Sequence, residues 1–196
     1  MKKRILLVAI ALILVLACLV ACGNDSATLD KINKLLDKDY SKVKVEVTTT
    51  MEGVELKGKY ALTFDGDVTN VTFTYEELSD LSFEGANNGF KNTVSGTAVV
   101  QNGVVISSNQ EVDLDTAKLN FAGLLFKSTY FKNETATGNR FKADVVSPQR
   151  FLGDNAFDGT NMHVDVIYDA TSIVQIHLSY VSAKGAAVSI TYIFSV

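Results

Sequence analysis

Two histidines, His163 and His177, are the residues of this chain whose types and spacing come nearest to a metal pair. Both lie where apolar and polar residues alternate, which predicts strands. The predicted register places them directly opposite each other on the polar face, beside Asp165 and Gln175. Opposed residues have Cβ atoms about 4.5–5.5 Å apart, so two imidazoles could share one ion. Because no firm third ligand follows from the sequence, we interpret the pair as ordinary surface histidines and predict no metal site and no cofactor.

Two acidic clusters could be mistaken for cation sites. Asp65, Asp67, Thr69 and Glu76 match positions 1, 3, 5 and 12 of a calcium loop, but Asn70 occupies the position that needs glycine. This stretch is better explained as a hairpin turn followed by a strand. The second cluster, Glu111, Asp113 and Asp115, shares one side of a predicted strand, and we interpret it as a solvated acidic face.

The sequence offers no catalytic constellation. Glu76 and Glu77 are adjacent, so a strand would point them to opposite faces and they would not form an acid–base pair. The chain contains no G-x-S-x-G, no glycine-rich phosphate loop and no Cys–His arrangement of a nucleophile. We therefore predict that the protein is not an enzyme. The net charge of −4 argues against nucleic acid as a partner.

One cysteine does lie in a pattern with defined chemistry. Three basic residues, Lys2 to Arg4, precede an apolar run over 5–21, which ends in Leu19-Val20-Ala21-Cys22. This pattern resembles the signal peptide of a bacterial lipoprotein. The resemblance implies cleavage before Cys22, diacylglycerol on its thiol and a further acyl chain, such as palmitate, on its amine. Cys18 lies in a rival frame, which we reject because Leu19, Val20 and Ala21 would then remain on the mature chain.

The predicted organisation follows from this cleavage. Residues 1–21 form the signal peptide, 22–27 a lipidated tether, and 28–196 a single antiparallel β domain. The alternative is an uncleaved membrane anchor, since seventeen apolar residues approach the length of a span. Both interpretations place the domain outside the cytoplasmic membrane. The lipid on Cys22 would hold it on the outer leaflet of the cell membrane, or on the outer membrane if the cell has one.

The first element of the domain is an amphipathic helix. Leu29, Ile32, Leu35 and Leu36 recur at helical spacing, with Thr28 or Ser26 as the cap and an end near Tyr40. Its apolar stripe must pack on the sheet that follows.

Alternation with a period of two then predicts nine or ten antiparallel strands. Glu52-Gly53 as a turn pairs Val47 with Gly58 and Val45 with Tyr60. Asp65-Gly66 as a turn sets Gly58 opposite Phe73 and Leu62 opposite Thr69. Asn102-Gly103 and Gly138-Asn139 predict two more hairpins.

For the remaining segments, the sequence predicts some turns specifically and leaves one segment undecided between helix and strand. Asp169-Ala170-Thr171 and Ala183-Lys184-Gly185 predict the last two turns, with Val164 opposite Ile176 and Ile190 opposite Leu178. Residues 79–92 are predicted as a loop, and 148–152 as one helical turn. Residues 119–126 fit either a short helix or a buried strand.

Every strand with a readable register presents large apolar residues to one side only. A mainly β (α+β) fold follows, with a single curved antiparallel sheet or half-barrel, the N-terminal helix and short lid helices. This layout, together with the signal pattern at Cys22, resembles the lipoprotein-carrier superfamily of LolA, LolB and the LppX-type lipoproteins. The resemblance implies a concave apolar face that holds acyl chains.

Two functions remain open from the sequence. The first is a lipoprotein that binds or carries a lipid or other apolar ligand, because a twelve-residue helix of ~18 Å is too short to cover nine strands spaced ~4.8 Å apart. The second is a structural or protein-interaction lipoprotein of the cell envelope with a filled core, whose protein partner the sequence does not name. For the first, the predicted cavity-lining residues are Leu29, Ile32, Leu36, Tyr60, Phe73 and Ile190.

Overall fold

The computed structural model describes residues 26–78, 91–110 and 116–195. The predicted signal peptide over 1–21, Cys22, the acidic residues Glu111, Asp113 and Asp115, and most of the predicted loop over 79–92 lie outside these ranges. Within them, no helix has the length and apolarity required to cross a membrane.

A single open sheet of ten antiparallel strands makes up most of the described chain, as the alternation predicts. The order across the sheet is β5-β4-β3-β2-β1-β10-β9-β8-β7-β6, so β1 and β10 meet in the middle and β5 and β6 form the edges. The strands are β1 Lys42–Met51, β2 Val54–Asp65, β3 Val68–Leu78, β4 Lys91–Gln101, β5 Val104–Ser108, β6 Phe131–Thr137, β7 Arg140–Val145, β8 Thr160–Tyr168, β9 Ile173–Val181 and β10 Ala187–Ser195.

The sheet separates an apolar face from a polar one. In β1, Val43, Val45 and Val47 are buried, whereas Lys44 and Glu46 between them are exposed. The same alternation runs through β8 and β10. Burying one face of each strand follows from the period of two, since successive side chains point to opposite faces. The predicted mainly β fold, with a single curved antiparallel sheet or half-barrel, is confirmed.

The N-terminal helix, α1, spans residues 26–36 and buries Leu29, Ile32 and Leu35 against the sheet. It ends four residues before Tyr40, where the sequence predicts its end. The Tyr40 hydroxyl explains the early end, because it donates a hydrogen bond to the carbonyl of Leu35 (2.9 Å) and accepts one from the amide of Ile173 (2.8 Å). Burial raises the pKa of this phenol.

The first hairpin has the predicted register, with Val47 opposite Gly58 and Val45 opposite Tyr60. Glu52 and Gly53 both have positive φ, +52° and +82°, as a type I′ turn requires.

The second predicted register is wrong by two residues. Leu62 lies opposite Val71 and Gly58 opposite Tyr75, because the turn consists of Gly66 and Asp67 rather than Asp65 and Gly66. Gly66, with φ +58°, takes the first central position, where a type II′ turn has its glycine. A shift of two residues is one strand period, so the same side chains still face the core.

The terminal hairpins give one wrong and one correct register. Val164 faces Leu178 rather than Ile176, and Val166 faces Ile176. The connection is longer than predicted because the Asp169 carboxylate folds the loop, accepting hydrogen bonds from the amides of Thr171 and Ser172. The last hairpin is confirmed, with Ile190 opposite Leu178.

Residues 119–126 form neither a helix nor a strand. A 3-10 turn, Thr116–Leu119, leads into an irregular segment, and we call residues 118–126 the strap. Four of its side chains are buried against the sheet: Leu119, Phe121, Leu124 and Phe126. The predicted helical turn is confirmed as α2, Pro148–Leu152, which ends at Gly153 in the left-handed conformation.

Candidate functional site

The strap is fastened across the apolar face at three places. The Asn33 side chain of α1 binds both backbone groups of Phe126, donating from Nδ2 to its carbonyl (2.8 Å) and accepting its amide at Oδ1 (3.0 Å). The amide of Leu125 donates to the carbonyl of Phe151 in α2 (2.9 Å). At the other end, the Tyr192 hydroxyl donates to the carbonyl of Lys118 (3.0 Å). Because the strap forms no strand, its backbone has no neighbouring strand to pair with, and these hydrogen bonds satisfy several of its polar groups.

Two glycines allow the strap to approach α2 closely. A Cβ on Gly123 would lie 2.9 Å from the carbonyl oxygen of Leu152, and a Cβ on Gly153 would lie 3.1 Å from the carbonyl oxygen of Gly123. Gly153 also has φ +67°, which side chains other than glycine rarely adopt. The position of the strap therefore depends on the absence of side chains at this contact.

Aromatic side chains fill the space beneath the fastened part of the strap. Phe126 packs against Phe131, Phe141 and Phe151 with ring centroids 5.2–6.1 Å apart. Phe121 makes a second cluster with Tyr40 and Phe194, at 6.5 and 5.0 Å. All of these contacts except the tilted Phe126–Phe131 pair are edge-to-face, a geometry that stabilises a packed core. The rings of these described residues therefore fill much of this part of the apolar face.

A cleft of about 730 Å³ remains on one side of the strap, at the end of the sheet where β1 finishes and β9 turns into β10. We call it the upper cleft. Its walls are apolar, from Leu178, Val188 and Ile190 on the sheet and Phe157 after α2. Its rim carries both signs of charge, from Lys118, Asp154, Asp158 and Lys184.

A second cleft of about 520 Å³ lies on the other side of the strap, at the opposite end of the sheet. We call it the lower cleft. Leu62 and Phe64 of β2, Val71 of β3 and Val100 of β4 form its sheet wall, and Leu119, Phe121 and Ala122 form its strap wall. No charged side chain of the described residues lines it; its polar groups belong to Thr69, Asn102 and Asn120. Asn120 lines both clefts.

The six predicted cavity residues all belong to the hydrophobic core or pack against it: Leu29, Ile32, Leu36, Tyr60, Phe73 and Ile190. Ile190 lines the upper cleft. Neither cleft is lined by the other five, and Leu29, Ile32 and Phe73 are almost completely buried. Their role as ligand contacts stays a prediction.

Tyr60 and Phe73 each pack over a glycine of the sheet. A Cβ on Gly58 would lie 2.8 Å from the Tyr60 ring, so Tyr60 folds over this glycine. The Phe73 ring instead lies over Gly96 of the neighbouring strand, where a Cβ would be 2.8 Å from Cζ. Phe73 lies opposite Gly96 rather than Gly58 because β3 pairs with β2 two residues out of the predicted register.

The two histidines are not opposite each other. His163 faces Ser179 and His177 faces Asp165, since β8 and β9 pair two residues out of the predicted register. Nδ1 of His163 is 2.5 Å from Oδ1 of Asp144. Asn133 donates to the other oxygen of that carboxylate (2.6 Å), and this bond, with His163, lowers the pKa of Asp144.

Glu76 and Asp165 each accept hydrogen bonds from the neighbouring strand of the sheet. Among the described residues, no three His, Cys, Asp or Glu side chains converge as metal ligands would. Glu76, the last residue of the calcium-like pattern, accepts the amide of Lys57 (2.9 Å), and this bond lowers the pKa of its carboxyl. Asp165 accepts two hydrogen bonds from Arg140 on the adjacent strand, one of them 2.8 Å long.

The sequence does not reveal where the clefts lie. Leu62, Val71 and Val100 can be assigned to the apolar face from alternation alone, but which part of that face the strap leaves uncovered depends on its path. Lys118 and Asn120 precede an apolar run and carry no signal that they line a cleft.

Comparisons with known proteins add little to this geometry. No family model matches the chain, and no curated protein matches it. Similar solved structures include a redesigned β-barrel bound to DFHBI, with 13% identity over 83% of this chain and 97% of that chain and a TM-score of 0.23. A second redesigned β-barrel has 14% identity over 84% and 96%, with a TM-score of 0.24. A DUF1329 family protein from Desulfovibrio piger has 10% identity over 86% and 90%, with a TM-score of 0.31. At these TM-scores the likeness carries no argument about function.

Proposed function

We propose that this protein is an extracytoplasmic lipoprotein, anchored to a bacterial membrane through Cys22, that binds or carries a lipid or other apolar ligand in its half-barrel. The proposal joins two independent lines of support. The N-terminal pattern supports the anchor and the compartment, and the uncovered parts of the apolar face support the ligand.

The observation that carries the ligand proposal is the pair of open clefts between the sheet and the strap. Their volumes, about 730 and 520 Å³, fall within the 300–1,000 Å³ that is usual for sites of small ligands. The clefts have aliphatic and aromatic walls, and the part of this apolar surface that stays open to water is unfavourable by roughly 25 cal/mol per Å². An apolar ligand would remove this surface from water.

The anchor would hold the clefts near the bilayer. Helix α1 begins at residue 26, inside the predicted tether, so few residues separate it from Cys22. At ~3.3–3.6 Å per residue, four extended residues span only ~14 Å. A domain held this close could exchange an apolar molecule with the membrane without a long passage through water.

Mass spectrometry of the full-length protein tests the ligand proposal. Lipid that co-purifies non-covalently is measured for the unaltered chain and for the double variant Ala122→Trp/Ala156→Trp, which places a large ring in each cleft. Both alanines are exposed, so the fold should tolerate the change. The control is Ala61→Trp on the exposed polar face of β2. We expect lipid with the unaltered chain and the control only; equal lipid on all three proteins would contradict the proposal.

A second candidate is a structural or interaction lipoprotein that holds no ligand. The aromatic clusters around Phe126 and Phe121 favour it, because they fill the middle of the apolar face without help from a ligand. Under this alternative the two clefts are solvent-filled grooves. The same measurement separates the candidates, since no lipid would then accompany the unaltered chain.

A further inference from the structure

The two clefts differ in charge, although one sheet and one strap form both. The lower cleft has apolar walls and only amide and hydroxyl groups as polar lining, within the part of the chain that the structure describes. The upper cleft combines an apolar wall with two lysines and two aspartates at its rim. This difference restricts which molecule each can accept.

We propose that the clefts are two separate sites with different ligands. The lower cleft takes an uncharged hydrocarbon chain. The upper cleft takes an amphiphile whose headgroup, carrying both signs of charge, lies at the rim formed by Lys118, Asp154, Asp158 and Lys184. This inference rests on the proposed function and deepens it by naming a ligand class for each cleft.

The lower cleft is unsuited to a charged headgroup. Its sheet wall includes Leu62 and Val71, which are 2% and 1% exposed. An ion placed there would lose its hydration with no opposite charge among the described lining residues to replace it, which is unfavourable. A hydrocarbon chain carries no charge whose hydration could be lost, and removing its apolar surface from water is favourable.

The upper cleft is unsuited to a purely apolar molecule. A hydrocarbon lying across the rim would displace water from Lys118 and Asp154, both half-buried, and would return no hydrogen bond. An amphiphile avoids this cost, because its chain covers Ile190, Leu178 and Phe157 while its head remains among the charged groups. Among the described lining residues, lysines and aspartates are equal in number, which favours a headgroup of both signs over an anion or a cation alone.

The strap keeps the two sites apart. Its buried residues Leu119 and Phe121 lie between the clefts, and Phe121 packs on Phe64 and Tyr192 with ring centroids 5.8 and 6.2 Å apart. The bond from Tyr192 to the carbonyl of Lys118 fixes the strap at this point. A ligand passing beneath the strap from one cleft to the other would have to displace these packed side chains.

Tryptophan reporters test this division directly, since the chain contains no tryptophan. Phe64→Trp places one in the lower cleft and Phe157→Trp one in the upper cleft, each replacing a half-buried ring. Ala61→Trp, on the opposite face, reports any quenching by probe dissolved in the membrane. The full-length protein in nanodiscs is titrated with two quenchers: 1-bromohexadecane and a lysophosphatidylcholine that carries bromine on its acyl chain.

We expect 1-bromohexadecane to quench the Phe64→Trp reporter at a concentration about tenfold lower than the Phe157→Trp reporter, a difference of about 1.4 kcal/mol. The brominated lysolipid should show the reverse order. If each probe quenches both reporters at the same concentration, the clefts form one site and this inference is wrong while the proposed function stands. If neither reporter is quenched more than Ala61→Trp, the proposed function itself fails. Should Phe64→Trp not fold, Thr69→Trp on the paired strand reports from the same cleft.

Discussion

The hydrogen bonds between Asn33 and Phe126 give the most direct test of how the strap is held. Asn33→Ala removes both bonds at once. The amide and carbonyl of Phe126, whose side chain is almost completely buried (2% exposed), then lose these partners. The rest of α1 keeps its contacts, because the deleted side chain does not belong to the apolar stripe. The effect should therefore report on the strap.

The expected loss follows from the two bonds. Each hydrogen bond contributes about 1 kcal/mol net, and a buried group left without a partner costs about 1–3 kcal/mol. Asn33 is half-buried, so water reaches part of the vacated space and the lower values apply. Alanine is a better helix former than asparagine by about 0.5 kcal/mol, which offsets part of the loss. We expect the free energy of unfolding to fall by about 2 kcal/mol.

Thermal unfolding of the full-length protein, followed by circular dichroism, measures this change. For a domain of this size a loss of about 2 kcal/mol corresponds to a Tm lower by about 4–8 °C. The matched control is Lys34→Ala, the next residue of the helix, which is exposed and should shift the Tm by less than about 2 °C. Asn33→Asp should destabilise at least as much as alanine, since its carboxylate would face the carbonyl of Phe126. Equal Tm values for Asn33→Ala and Lys34→Ala would refute the reasoning.

Three further predictions concern single side chains. Cys22→Ser should abolish incorporation of a fatty-acid probe, whereas Cys18→Ser should leave it intact. The opposite result would show that Cys18, not Cys22, is the lipidated residue. A zinc titration by calorimetry should show no stoichiometric binding at micromolar concentration, either for the unaltered chain or for His177→Ala. Tight one-to-one binding that His177→Ala removes would show that the histidines form a site. Asp169 has a pKa lowered from 3.8 to about 2 by hydrogen bonds from its own loop. Because the folded-state value is the lower one, its contribution to stability is complete above the ordinary pKa and is lost as the pH falls towards 2. Asp169→Asn should flatten the acid dependence of the Tm over that window, and an unchanged slope would contradict the assignment.

Hairpin registers could be predicted where the turn type was unambiguous. Glu52-Gly53 has positive φ at both central residues, and its register follows directly. Asp65-Gly66-Asp67 contains glycine in two overlapping dipeptides, and the dipeptide chosen decides the register. Either choice leaves the same side chains on the apolar face, so the core was predicted correctly although the pairing of β2 with β3 was not.

The error between β8 and β9 has a different cause and a larger consequence. A side chain, Asp169, organises the loop by accepting two backbone amides, which lengthens the connection beyond the three residues that alternation favours. The two-residue shift again preserves the buried face. On the polar face it separates His163 from His177, so the predicted juxtaposition of the two histidines is lost while the fold does not change.

The strap could not be predicted because nothing local determines its path. Its backbone groups are satisfied by Asn33, 93 residues earlier in the chain, and by the carbonyl of Phe151 after it. Its four buried side chains have no helical or strand period, so propensity and alternation give no preference. The two clefts are the parts of the apolar face that this path leaves uncovered. Alternation therefore predicts that an apolar face exists, but the path of the strap determines which parts of that face stay open and which charged groups lie beside them.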